Sequence, residues 1–148
     1  MKNRLTIFTK ILLDIMFYGG IIVILLVPLL YKLVIPYEPH IEKNYIALCV
    51  IMMICGVFAV LILGELRKMF ATVIREDCFV KSNVESLKRM GNYSFGIAVT
   101  TLARLFCYLN SAVFVILAVF VIAGLFSKVL ALVFDKAVAY KLENDLTI

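Results

Sequence analysis

Few side chains in this sequence can do chemistry, and most of those that can lie against apolar residues. Asp14 stands at the head of the first apolar run, Arg104 sits inside "TTLARLFCYL", and Lys128 follows "VFVIAGLFS". An ionised group in hydrocarbon costs roughly 2.5–3.5 kcal/mol on the gentlest scale, which makes Asp14, Arg104 and Lys128 candidate intramembrane polar sites. Asp14 and Lys128 fall at the same end of their runs and can pair. Arg104 lies about 20 Å along a helix from Gly91 and can snorkel outward or meet Glu38 or Glu42. The plain expectation for all three is snorkelling or structural pairing. Thr100, Thr101 and Arg104 hint at a polar path on a single helix. No discontinuous helix pair, internal repeat or acidic relay accompanies them, as a transporter would need.

Other chemistry is sparse. His40, the single histidine, sits beside Pro39 with no partner at ligand spacing, so no metal site is expected. Cys49, Cys55 and Cys107 lie in apolar runs and Cys78 in a charged segment, without any CxxC, and read as small apolar side chains. HExxH, GxSxG, P-loop and GxGxxG patterns are missing. The expectation is a non-enzyme without a cofactor.

The elements that must position these residues are apolar. The chain has 148 residues, 64% of them hydrophobic, with a mean hydropathy of +1.07. A small soluble domain is nearer half apolar and could not bury the excess. Lipid can. Four runs predict membrane spans at about 12–35, 45–64, 92–109 and 112–134 of a single membrane domain, 1–148. No small-x-small cleavage site follows the first run, so it reads as a retained span rather than a signal peptide. A very short turn at Asn110 and Ser111 makes the last two spans a hairpin. Lys2, Arg4 and Lys10, the basic residues from Arg67 to Arg89, and Lys128, Lys136 and Lys141 outnumber Lys32, Lys43 and Arg104. The positive-inside rule therefore predicts both termini, the loop 65–91 and the tail 135–148 in the cytoplasm. The fold expected is all-α: a polytopic membrane four-helix bundle with amphipathic cytoplasmic helical extensions. Gly19, Gly20, Gly56 and Gly96 are expected helix-packing positions.

The basic segments are patterned. Leu66, Met69, Phe70, Val73 and Ile74 make a helical stripe that continues the second span. "REDCFVK" breaks it. Ser82 with Glu85 forms a capping box for a helix through "SNVESLKRMG". Leu130, Val133, Phe134, Ala137, Val138 and Leu142 carry the fourth helix past the membrane. The ending "KLENDLTI" can dock beneath the bundle, its acids facing Lys88, Arg89, Arg67 or Lys68, or it can be free as a ligand for a partner.

These segments also carry a resemblance. "GELRKMFATVIREDCFVKSNVESLKRMG" is similar to the signature loop of bacterial membrane proteins grouped as domain of unknown function 2975. Phe79, Val80, Asn83, Val84, Leu87, Lys88 and Gly91 match that family's pattern, and Cys78 stands where it often has proline. "ENDLTI", Glu143 to Ile148, resembles its ending. The resemblance implies a bacterial cell (inner) membrane protein with four spans and no established activity. It also implies a cytosolic partner, a very small helix-turn-helix transcriptional regulator whose gene often lies beside those of the family. Three functional readings follow. The first is a regulatory or binding membrane protein that holds such a regulator through Phe79, Asn83, Leu87, Arg89, Glu143, Asp145 and Ile148. The second is self-protection or stress defence against membrane-active peptides. The third is a small transporter or channel using Arg104. A homo-oligomer is open, and no direct contact with nucleic acid is expected.

Overall fold

Apolar runs longer than a bilayer is thick must become helices whose ends project beyond it, because helices satisfy every backbone group internally. A computed structural model of the protein describes residues 4–37, 42–107 and 109–146; Glu38, His40 and Ile148, singled out above, lie outside them. Among the described residues there are four long helices and no strand. They are α1 (Arg4–Val34), α2 (Tyr45–Ile74), α3 (Lys81–Leu105) and α4 (Ser111–Leu146). The all-α bundle expected from the sequence is therefore present. Among the described residues, α1, α2 and α4 are long and apolar enough to cross a membrane. At about 1.5 Å per residue they reach roughly 45–54 Å, against a hydrocarbon core of about 30 Å.

α3 has another character. Its apolar part ends as helix at Leu105, short of Leu109, which leaves roughly 20 Å of apolar helix. It is the most buried helix, with Asn83, Val84, Leu87, Ile97, Ala98 and Thr101 all inside. Its two neighbours, α2 and α4, do the covering, and α1 packs on α2 alone among the main contacts. The helices thus pack in chain order, each antiparallel to the last, with the core around α3. Large apolar side chains such as Phe8, Leu25, Val115 and Phe126 stand outward. Contiguous apolar surface of that extent is lipid-facing, since water would not tolerate it.

The local endings have physical causes. α2 runs unbroken from its apolar stretch through the expected amphipathic segment. Its carbonyls are then closed by Glu76 N–H on Val73 (3.0 Å) and Asp77 N–H on Thr72 (3.1 Å). That is the Schellman pattern, with Glu76 at φ 60° in the left-handed position. The capping box expected at Ser82 does not form. α3 is capped two residues earlier, with extended Val80 as its N-cap and no side-chain cap bond. Val80 carbonyl instead accepts the N–H groups of Asn83 (3.0 Å) and Val84 (3.4 Å). The cause is Asn83, whose amide turns beneath the connection to reach Cys78 carbonyl (2.6 Å) and Thr72 Oγ1 (2.7 Å). At the other end of the molecule Asn110 Oδ1 accepts from Ala112 N–H (3.1 Å), capping α4 in the tight turn expected there. Tyr45 hydroxyl donates to Pro28 carbonyl (2.8 Å) and Asn44 to Cys107 carbonyl (2.8 Å), tying α2 to its neighbours.

Glycines set the helix spacing. A Cβ on Gly56 would meet Ile24 at 2.7 Å, one on Gly96 would meet Phe58 at 2.9 Å, and one on Gly20 would meet Val60 at 3.1 Å. Gly124 and Gly91, not anticipated, do the same for Phe95 (2.6 Å) and the Lys128 stem (2.9 Å). Gly19 is the correction: nothing lies within 4 Å of its Cβ position, because it faces outward. Gly19→Ala is therefore expected to stabilise the protein by about 0.5–1 kcal/mol through helix propensity. Gly124→Ala is expected to destabilise it by about 1–3 kcal/mol through overpacking. Thermal unfolding of the two variants in mild detergent checks the opposite signs.

Candidate functional site

Charges left at the ends of apolar helices must find partners or water, and here they find each other. A belt crosses all four helices at the end where α1 begins and α4 finishes, the basic end. Asp14 on α1 accepts from Arg67 Nε on α2 at 2.7 Å. The Arg67 guanidinium also lies over the Phe17 ring, 4.5 Å from its centroid, and near the Tyr18 ring. Glu65 on α2 takes two parallel bonds from Arg89 on α3, at 2.9 and 3.1 Å. Lys68 Nζ stands 3.6 Å from the same carboxylate. Ser127 on α4 donates to Leu87 carbonyl on α3 at 2.8 Å, and Lys128 donates to Asn92 Oδ1 at 2.6 Å. The pairing of Asp14 with Lys128 considered from sequence is thus replaced by separate partners, since α1 and α4 lie on opposite sides of the α2–α3 pair.

Below the belt the connection 75–80 meets the continuation of α4. The Phe79 and Phe134 rings pack 5.3 Å apart. Lys141 bonds to Asp77, which raises its ammonium pKa above the ordinary value. Beside these contacts a broad groove of about 780 Å³ is lined by Phe79, Ala137, Tyr140, Lys141, Glu143 and Asn144. Among the described residues the tail does not fold back: α4 stays helical to Leu146, with Leu142 and Leu146 59% and 86% exposed. Glu143 and Asp145 do not reach Lys88, Arg89, Arg67 or Lys68. Arg89 and Lys68 turn to Glu65, Lys88 to Glu85 and Arg67 to Asp14.

The residues singled out for docking therefore divide. Phe79 and Glu143 line the groove, and Asp145 is exposed on the same helical extension. Asn83 and Leu87 are buried, the one as a clamp under the connection and the other against α4. Arg89 is taken by Glu65. Ile148 lies outside the described residues. Sequence reasoning missed Glu65, Tyr140 and the Asp77–Lys141 pair. Glu65 carried a signal, an acid directly after an apolar run, yet its partner is on another helix.

Arg104 is half-buried in the last turn of α3 and does not meet Glu42, and its other expected partner, Glu38, lies outside the described residues. Its Nε is buried with no hydrogen-bond partner, as is the Tyr31 hydroxyl. Thr100 is spent on Gly96 carbonyl at 2.7 Å, a local back-bond that removes it from any polar path.

Helices of this length and apolarity, packed in chain order and fastened by an ionic belt, define an α-helical membrane protein. The chain belongs to the family described as "Protein of unknown function (DUF2975)", whose model matches residues 22–148. No curated protein and no solved structure matches the chain.

Proposed function

We propose that this is a non-enzymatic regulatory membrane protein of the bacterial cell membrane. In this reading both termini and the basic end face the cytoplasm, and the groove at that end holds a small cytosolic helix-turn-helix regulator. The observation that carries the reading is the exposed helical extension of α4. It presents Tyr140, 71% exposed, with Ala137 and the Lys141 stem as the wall of the groove facing Phe79, while Leu142 and Leu146 are exposed on the other face of the helix. An amphipathic partner helix laid in such a groove buries aromatic and aliphatic anchors, the helix-in-groove mode of recognition. The excess of Lys and Arg at this end supports the orientation. The family resemblance supports the regulator as partner.

The test is co-isolation of the tagged chain with the regulator encoded beside it. Phe79→Ala and Tyr140→Ala are each expected to lower capture about tenfold or more, as loss of an aromatic anchor does, with the helical circular-dichroism signal unchanged. If the wild-type chain and the regulator never co-isolate or crosslink, the reading fails. If expression of the chain alone alters sensitivity to membrane-active peptides, self-protection takes its place.

A further inference from the structure

The far end of the molecule, opposite the belt, holds a second feature that the groove does not use. α1 and α3 each pack on α2 and leave a cleft between them. Its volume is about 370 Å³, within the range of about 300–1,000 Å³ typical of ligand pockets. Val23, Val27, Leu30 and Met52 make its apolar wall, and Tyr31 and Arg104 supply its polar groups. Arg104 also lines a smaller inner cavity of about 140 Å³ with Cys55 and Thr101. Among the described residues no carboxylate lies within ion-pairing distance of its guanidinium. Its Nε and the Tyr31 hydroxyl are both buried and unpartnered.

Arg104 is half-buried, and a guanidinium whose Nε is turned into apolar surroundings without an anion is unfavourable. An anion that arrives with its own apolar chain satisfies both walls at once. The direction of the cleft fits. Tyr31 and Arg104 sit within one turn of the ends of α1 and α3, and Val23 lies two turns deeper along α1. That ordering, charge at the helix ends and apolar surface toward the middle, is the ordering of a membrane phospholipid. We infer that the cleft between α1 and α3 binds one anionic phospholipid, its phosphate on Arg104 and Tyr31 and an acyl chain along Val23, Val27 and Met52. The guanidinium offers the planar fork that a phosphate accepts.

Native mass spectrometry of the full chain tests this, after release from nanodiscs of equal phosphatidylglycerol and phosphatidylethanolamine. One phosphatidylglycerol is expected to stay bound in preference. Arg104→Gln is expected to reduce that preference about ten- to hundredfold and Tyr31→Phe about two- to tenfold, the worth of a charged and a neutral hydrogen bond. Val23→Trp leaves the charge in place but fills the acyl-chain end of the cleft, where Val23 is 51% exposed. It is expected to abolish retention, and with Tyr31→Phe it decides the matter if Arg104→Gln does not fold. Preference unchanged in these variants, equal retention of the zwitterionic lipid, or displacement of the phospholipid by oleate would each overturn the proposal.

Discussion

Arg89→Leu is expected to destabilise the protein by about 3 kcal/mol, the low end of the cost of breaking a buried ion pair, because only the Glu65 end of this pair is buried. The asymmetry of the pair decides which partner matters more. Glu65 keeps 7% of its side-chain surface exposed and Arg89 keeps 43%. Without Arg89 the carboxylate stays in its pocket with only the buried Ser86 hydroxyl and Lys68 at 3.6 Å. Lys68 itself is a 69% exposed side chain, so its ammonium is screened by water and contributes little. Without Glu65, by contrast, the guanidinium can turn outward to water or headgroups. Glu65→Gln is therefore expected to cost less, about 1–2 kcal/mol. The double variant Glu65→Leu, Arg89→Leu should recover part of the Arg89→Leu loss, because no charge is then left buried. Chemical denaturation in detergent micelles, followed by circular dichroism, gives all three values. A Glu65→Gln loss equal to or above that of Arg89→Leu would sink this account of the belt.

The belt also shows how far the sequence could be read. The apolar runs, the continuation of α2 to Ile74 and the break after it were legible, because each depends on local composition and helical period. Glu65 and Arg89 are 24 positions apart and on different helices, so no local pattern links them. Asp14 with Lys128 looked natural on a drawing of four spans. It fails because adjacency in a bundle depends on packing order, and α1 touches α2 instead. Ser82 and Glu85 match a capping box as letters. A buried Asn83 beside them outweighs it, since an unsatisfied amide costs more than a surface cap contributes. Gly19 and Gly20 are indistinguishable in sequence, yet only one of them faces a neighbouring helix. The passage of α4 beyond the membrane was legible from its apolar stripe, but the choice between a docked and a free tail was not. Whether Leu142 and Leu146 are covered depends on a partner surface that lies outside the chain's own pattern.

Asn83→Leu is the second large effect expected, about 2–3 kcal/mol, and it links stability to the proposed function. Asn83 is 2% exposed. Its amide donates to Cys78 carbonyl (2.6 Å) and to Thr72 Oγ1 (2.7 Å). Leucine of similar volume keeps the packing but strands the Cys78 carbonyl, and a buried acceptor left unmade costs about 1–3 kcal/mol. Thr72 suffers less, because its hydroxyl still donates to Met69 carbonyl at 2.6 Å. The strain falls on the connection 75–80, which holds Phe79 against Phe134 and Asp77 against Lys141. Once the connection lifts, the groove loses one wall while α4 stays intact. Asn83→Leu should thus reduce capture of the regulator nearly as much as Phe79→Ala, although Asn83 touches no partner. The two variants separate in unfolding: Asn83→Leu lowers the midpoint, whereas half-exposed Phe79 gives up little on truncation to alanine. Full capture by a destabilised Asn83→Leu variant would show that the partner does not read the wall formed by the 75–80 connection.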